Sequence, residues 1–498
     1  MIKLAGFMIF ILIANAGPGR GADLLTPSAP HEPRLHGPKV EGVRPGSPFL
    51  YRIPCTGDRP LSFRAEGLPP GLSLDAASGI ITGKIAQAGT YRTTLFAKNA
   101  LGEDQRAFRI EAGDKLALTP PMGWNSWYIY YNRVTEANLR DAADQMIASG
   151  MADYGYRYVN CDDCWAMKKG TTMRSQDGTI LPNANFPDMK GLVDYIHAKG
   201  LKAGIYTSPG PLTCGGYTGS WQHEAQDART FAGWGMDFLK YDLCSYAGLM
   251  PGAKTPDDYR KPYQLMSDEL RKQDRDIVFN LCEYGDGDVW KWGGEVGQCW
   301  RTTGDLGLGY RGARPSFYGI AFSNAQHAAF AKPGAWNDPD YLLIGWVGNA
   351  HTRGVGKQTT LTADEQYSYM SLWSLMAAPL IFSGDMTKLD AFTLNVLCNA
   401  EVIDVDQDPL GQQAKILRKT ADEFVLVKEL EGGAKAVGLF NLSATPRTIS
   451  ISWTDLTLSG TQPLHDIWRQ KDLAPATDAF ALEIAPHGVA FMKIGPTR

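Results

Sequence analysis

At 498 residues the chain exceeds one ordinary hydrophobic core, so two or three domains are expected. Its 44% hydrophobic and 20% charged residues are those of a soluble globular protein. A net charge of −4, with no block of basic residues, gives no footprint for nucleic acid or an anionic lipid surface.

Residues 1–22 read as a targeting segment. Lys3 precedes an apolar stretch from Leu4 to Ala16, shorter than the roughly 20 residues that span a bilayer. Ala14-Asn15-Ala16 fits a small-x-small cleavage pattern, with a cut nearer Ala22 as the alternative. The first cysteine is Cys55, so no lipid-attachment cysteine lies near the cut. The expectation is an exported protein, periplasmic or secreted, with no membrane contact once the segment is removed. Eight cysteines are too few for a disulfide scaffold, although export permits bridges. Cys161 and Cys164 form a C-x-x-C without a second such pair or a nearby histidine at ligand spacing. No metal and no cofactor are therefore expected.

Residues 23–37 are rich in proline and polar residues and predict a linker. From 38 to 112 short alternating runs such as Leu61–Ala65 and Thr93–Ala97 are punctuated by Gly67, Pro69-Pro70-Gly71, Ser78-Gly79 and Asn99. This pattern predicts a small β-sandwich, and the segment from Gly67 to Gly102 resembles the immunoglobulin-like modules common in exported bacterial proteins.

From 116 to 406 the rhythm alternates helical periods with short apolar runs. Asp188 is a candidate N-cap, Met189, Leu192, Val193 and Ile196 share one helical face, Gly200 stops the helix, and Leu201–Tyr206 follows as a strand. The same order precedes Tyr156–Asn160, Phe238–Tyr241 and Ile277–Leu281. Such repetition predicts an α/β fold, a (β/α)8 barrel, with a doubly wound sheet as the alternative. No glycine fingerprint for a dinucleotide or a P-loop opens any of the helices, which weighs against the second. Residues 410–496 return to alternating strands and predict a C-terminal β-sandwich. Asn441-Leu442-Ser443 matches a glycosylation acceptor, a three-residue pattern that chance supplies readily.

In such a barrel the chemistry lies where strands end. The apolar runs here end in Trp124, Asp162-Asp163-Cys164-Trp165, Tyr206, Lys240 and Asp242, Glu283 and Tyr284, Arg301 through Asp305, Asp338 and Asp340, and Asp385. Some of these acids are expected to be helix caps. Acids interleaved with aromatics suit a sugar, since carboxylates accept from vicinal hydroxyls and a flat ring covers the apolar face. Lys240 and Asp242, two apart, share one face of a strand. An ammonium beside a carboxylate favours its ionised form, as a nucleophile requires. Asp305, after Gly304, is a candidate general acid if its surroundings are less polar. The residues alone leave open which acid plays which part.

The blocks PPMGWNSW, YVNCDDCW, HAKGLKAGIYTSPGPLTC, LKYD-x-C, LCEYG, WRTTGD and WNDPD occur in order between 117 and 406. This region resembles glycoside hydrolase family 27, the α-galactosidase and α-N-acetylgalactosaminidase family. The resemblance implies a retaining exo-glycosidase that releases terminal α-galactose from oligosaccharides or glycoconjugates. By it Asp242 would be the nucleophile and Asp305 the general acid/base. Trp124, Asp162, Asp163, Tyr206, Lys240, Glu283, Tyr284, Arg301 and Asp340 would line the galactose pocket. Asp162 and Asp163 would take the hydroxyls at carbons 4 and 6, Lys240 those at 3 and 4, and Arg301 that at 2. Cys214 and Cys244 match a pair bridged in the family.

Three departures stand out. The cysteine that family members carry shortly after WNSW is missing from Tyr128-Ile129-Tyr130-Tyr131, Tyr284 replaces a Trp, and Tyr341 replaces a Met. Tyr284 and Tyr341 both fall at the pocket rim, where specificity is set, with α-N-acetylgalactosaminidase or β-L-arabinopyranosidase activity as the alternatives. Glu283 and Asp163 both favour galactose, because those relatives change the corresponding positions.

Overall fold

The computed structural model describes residues 24–496 apart from 251, 253, 313 and 349–355; the expected targeting segment lies outside the described residues. At its centre is a (β/α)8 barrel. Its strands are β1 (Met122–Asn125), β2 (Tyr158–Asn160), β3 (Lys202–Thr207), β4 (Phe238–Asp242), β5 (Val278–Cys282), β6 (Cys299–Arg301), β7 (Trp336–Asp338) and β8 (Leu380–Phe382). All pair in parallel, in the order β7-β6-β5-β4-β3-β2-β1-β8. The two ends of this order meet through Leu342 rather than through β7 itself. The Leu342 amide donates to the Ile381 carbonyl (2.8 Å), and its own carbonyl accepts from Ser383 N–H (3.1 Å).

The helices start where the side chains dictate. The Asp188 carboxylate accepts from Gly191 N–H and opens the helix Met189–Ala198, whose buried residues are Met189, Leu192, Val193 and Ile196. Thr135 and Asn138 form a reciprocal capping box at the start of Glu136–Ala148. The helix Ala363–Leu375 differs from both, because it is buried nearly all round. The barrel packs on one side of it and the C-terminal sandwich on the other, where Trp468 Nε1 donates to Ser371 Oγ (2.8 Å) and Ser368 Oγ to the His487 carbonyl (2.7 Å).

The N-terminal module is a sandwich of a four-stranded and a three-stranded sheet around Phe49, Tyr51, Ile81, Leu95, Phe108 and Ile110. It docks on the N-terminal ends of the barrel strands, away from the C-terminal strand ends that hold the candidate site residues. Glu41 is the main contact. It accepts from Arg157 Nη1 (2.8 Å), just before β2, and from Lys202 Nζ (3.2 Å), the first residue of β3. Burial disfavours the Glu41 carboxylate, and the two cations outweigh it, so its pKa lies below the ordinary value. Arg44 adds a pair with Asp276 (2.5 Å) and donates to the carbonyls of Gln273 and Arg275.

The stretch expected as a linker is partly ordered against the rest. Arg34–Leu35 pair with Cys55–Thr56. The Leu25 amide donates to the Tyr367 hydroxyl (3.0 Å) and the Thr26 amide to Asn395 Oδ1 (3.0 Å). Prolines prevent a regular element, but the free backbone donors find side-chain acceptors on the barrel. The C-terminal unit has a six-stranded sheet and the pair Arg447–Ser452 with Ala479–Ile484. Asn441 of the acceptor-like triplet is fully buried there. Its amide nitrogen donates to the carbonyls of Thr445, Ile484 and Ala485, a tie for the chain rather than a surface for a glycan.

Candidate active site

Strand register brings the expected residues together. Tyr206 on β3 is level with Lys240 on β4, which is level with Asn280 on β5, and Asp242 is level with Cys282. Strands rise only about 3.3 Å per residue, so a shared level places their side chains in one layer of the barrel mouth.

Asp242 is buried, and each of its oxygens is held. Tyr206 Oη donates to Oδ2 (3.0 Å) and Tyr284 Oη to Oδ1 (2.5 Å). Two donors suit a carboxylate; a protonated acid needs an acceptor for its own hydrogen. Burial raises the Asp242 pKa above the ordinary value, with Lys240 and the Tyr284 hydrogen bond acting against it. This corrects the simpler expectation that Lys240 beside it would dominate. Lys240 spends its direct ion pair on Asp162, its Nζ lying 3.0 Å from Oδ2. The same Oδ2 accepts from Asn125 Nδ2 (2.9 Å) and Tyr341 Oη (3.0 Å). Burial disfavours the Lys240 ammonium, but Asp162 together with Tyr341, Cys282 and Asp242 outweighs it, so it stays charged.

Asp163 accepts from the amides of Cys164 (2.6 Å) and Gly215 (2.7 Å), and burial pushes its pKa up to about 7. Glu283 is fully buried, with its pKa pushed well above the ordinary range by burial. Its Oε2 has no hydrogen-bond partner among the described residues, the state of a group that awaits a ligand. Arg301 Nη2 reaches Asp340 Oδ2 (3.1 Å) and, less closely, Asp305 Oδ1 (3.4 Å). Asp340 also accepts from the Leu306 amide (2.8 Å) and Tyr128 Oη (3.1 Å), and it holds a left-handed backbone at φ +81°.

Asp305 departs from expectation. Its side chain is 39% exposed and stands beside Arg301, so its surroundings are polar and open rather than apolar. The loop Thr302–Leu306 leaves β6 at the rim of the site, where water reaches the carboxyl group. Its charge still acts on Asp242 and disfavours ionisation there, so the two carboxyl groups are electrostatically coupled.

Other strand-end residues serve the scaffold. Trp124 is fully buried with its Nε1 donating to the Gly384 carbonyl (2.8 Å), so it ties β1 to the chain after β8 and presents no open face to a ring. Trp165 Nε1 is tied to the Tyr206 carbonyl (2.7 Å). Asp385 accepts from Thr387 N–H (2.9 Å) as a cap. Asp338 is fixed by Asn280 Nδ2 (2.7 Å) and the Asp340 amide (2.8 Å).

Two tyrosines join the site that the pattern of strand ends did not single out, Tyr128 on Asp340 and Tyr341 on Asp162. They meet edge to face at 6.1 Å. Cys214 and Cys244 form a disulfide, with Cys244 Sγ 3.2 Å from Tyr206 Oη and Cys214 Sγ 3.6 Å from Tyr284 Oη. Cys55, Cys161, Cys164, Cys282, Cys299 and Cys398 are buried and unbridged.

Comparison with known proteins places this geometry. The family model described as alpha galactosidase A matches residues 119–408, the alpha galactosidase C-terminal beta sandwich matches 422–494, and an Ig-domain model matches 34–112. Alpha-galactosidase 2 of Arabidopsis thaliana is 38% identical over 384 residues, 76% of this chain and 90% of that protein. Alpha-galactosidase A of Cellvibrio japonicus is 34% identical, over 77% of this chain and 93% of its own length. A Bacteroides fragilis crystal structure assigned as an alpha-galactosidase/melibiase superposes with a TM-score of 0.87 at 38% identity. That match covers 95% of this chain and 99% of the other, so it extends over all three units. The chain therefore belongs to the α-galactosidase family of hydrolases, glycoside hydrolase family 27.

Proposed function

We propose that the protein is an exo-acting, retaining α-galactosidase in which Asp242 is the nucleophile and Asp305 the general acid/base. One observation carries this reading. A recessed carboxylate, Asp242, has a donor on each oxygen, and an open carboxyl, Asp305, stands near enough for its charge to act on Asp242. A double displacement needs this contrast: an ionised group below the ring and a proton donor that reaches the leaving oxygen and, later, water.

Asp242 attacks the anomeric carbon as the bond to the leaving group breaks, and Asp305 gives its proton to the leaving oxygen. Water then attacks the same carbon, gives a proton to Asp305, and the carboxylate of Asp242 departs. Asp162, Asp163, Lys240, Arg301 and Glu283 surround this centre with fixed polar groups, as recognition of ring hydroxyls requires. Their deep burial suits a terminal sugar that enters end-on, which supports exo action. The apolar stretch from Leu4 to Ala16, preceded by Lys3, supports export to the periplasm or beyond.

Glu283 and Asp163 support galactose over its congeners. Glu283 occupies space that a 2-acetamido group needs, and Asp163 is a partner for a carbon 6 hydroxyl that arabinopyranose lacks. The p-nitrophenyl glycosides of α-D-galactose, α-N-acetylgalactosamine and β-L-arabinopyranose test this directly. The first is expected to be hydrolysed with a kcat/KM at least about 100-fold above either of the others, the discrimination that unpaired buried polar groups provide. A preference for the second or third would keep the mechanism and overturn the specificity.

A further inference from the structure

Tyr284 follows Glu283 at the end of β5 with φ of +64°, and Gly285 follows at +85°. A bulky aromatic rarely adopts this left-handed backbone, and such conformations persist where the surroundings over-determine them. Here they do. A side chain at Gly285 would come within 2.5 Å of the Thr302 carbonyl oxygen, so the chain turns there with no room to relax. The turn folds the Tyr284 ring back over the strand end and delivers its hydroxyl to Asp242 Oδ1 at 2.5 Å. Tyr206 delivers its hydroxyl to Oδ2 at 3.0 Å. The two hydroxyls lie against opposite sulfurs of the Cys214–Cys244 bridge, so one covalent link backs both donors.

We propose that Tyr284 is a positioning residue that holds Oδ1 of Asp242 through both chemical steps and stabilises the carboxylate as it departs in the second. The chemistry rests on the α-galactosidase reading above. In the first step Oδ2, held by the longer bond from Tyr206, forms the bond to the anomeric carbon. The bond from that carbon to the leaving oxygen breaks, and this oxygen takes the Asp305 proton. Oδ1 is then the carbonyl oxygen of an ester, still accepting from Tyr284. In the second step water bonds to the anomeric carbon and passes a proton to Asp305. The bond from carbon to Oδ2 breaks, its electron pair returns to Asp242, and the negative charge grows on Oδ1, where the short charge-assisted hydrogen bond is strongest.

The ionisable groups facing Asp242 are Lys240 on its own strand, Asp162 after β2, Tyr206 on β3, Cys282, Glu283 and Tyr284 on β5 and its loop, Tyr263 on the helix Pro256–Arg271, and Asp305 after β6. Of these, Lys240, Tyr206 and Tyr284 favour the ionised form, and Tyr284 is removable without loss of a charge. The decisive variant is Tyr284→Phe, which keeps the ring, with its melting temperature compared with that of the wild type. On p-nitrophenyl α-D-galactopyranoside it is expected to show a burst of about one nitrophenol per site before a steady state about tenfold slower, with KM falling alongside kcat. Loss of a donor to the charged form raises the nucleophile's pKa, so the acidic limb of kcat/KM moves up by about one pH unit.

A residue that only fills space would give neither burst nor shift, and that result would overturn the proposal. A second arm does not depend on turnover: carboxyl ¹³C titration of Asp242, its signal identified by its loss in Asp242→Asn. An upward move of its midpoint in Tyr284→Phe supports the proposal, and an unchanged midpoint overturns it. A wild type inactive on all three nitrophenyl glycosides would count against the α-galactosidase reading, while this titration still decides the role of Tyr284.

Discussion

Replacing Asp242 by glycine is expected to lower kcat/KM on p-nitrophenyl α-D-galactopyranoside by on the order of 10⁴-fold or more. Loss on this scale follows from the geometry, because Asp242 is held by two neutral tyrosine hydroxyls, whereas Asp163 and Asp340 are tied to backbone amides. Asp162 is the nearest rival by charge, but its Oδ2 is already committed to Lys240, Asn125 and Tyr341. The vacancy left by the carboxylate lies beside the Tyr206 and Tyr284 hydroxyls, a polar place for a small anion. Azide is expected to restore turnover and to yield the β-galactosyl azide, the product of a single inversion. The product is read by proton NMR; an α-galactosyl azide from this variant would count against Asp242 as the nucleophile.

The second large effect is expected at Asp305 and depends on the leaving group. Asp305→Gly is expected to lower kcat/KM about 10²–10⁴-fold on an α-galactosyl disaccharide, whose sugar leaving group must be protonated as it departs. Nitrophenol leaves readily without that proton, so its release in the first step is expected to fall much less. The intermediate then waits for water that no base activates. Azide, which needs no such base, is expected to capture it as the α-galactosyl azide, after two inversions. Equal losses on both substrates, with no rescue, would assign Asp305 a structural place beside Arg301. The open position of Asp305 makes the two-substrate comparison informative, since a rim group reaches the leaving oxygen without holding the ring.

Much of this site was legible in the sequence because a barrel converts one-dimensional order into one rim. Any acid at the end of an apolar run falls near the same axis, so listing run ends recovered Asp162, Asp163, Asp242, Glu283, Arg301 and Asp340 without knowledge of a single contact. Pairing was not legible. Lys240 and Asp242 share a strand face and invited an ion pair, but Lys240 bonds Asp162, 78 residues away. Strand register, set by the whole barrel, decides that contact.

Burial was equally hidden. Trp124 sits at a run end like the acids, yet its indole N–H is consumed by the Gly384 carbonyl and its faces are covered. Asp305 was expected in an apolar spot because glycine precedes it, whereas loop direction after β6 carries it into solvent. Tyr128 and Tyr341 gave a signal only as departures from a family pattern, and their hydroxyls turn out to hold Asp340 and Asp162. The closure of the barrel through Leu342 had no local signature, since it depends on where the chain after β7 crosses β8.

The N-terminal module illustrates the opposite case. Its fold was readable from turn residues and alternation, but its attachment was not, because Glu41 gains significance only when Arg157 and Lys202 arrive from the barrel. Its docking surface lies on the N-terminal ends of the strands, at the opposite end of the barrel from the candidate site residues.

The central claim, a double displacement through Asp242 and Asp305, is tested most directly by the stereochemistry of the first product. Hydrolysis of p-nitrophenyl α-D-galactopyranoside by the wild type, followed by proton NMR within the first minutes, reads the anomer before mutarotation mixes it. The account predicts α-galactose first, with the β anomer appearing only at the rate of mutarotation. β-Galactose as the first product would contradict it, because a single inversion leaves Asp242 no covalent role.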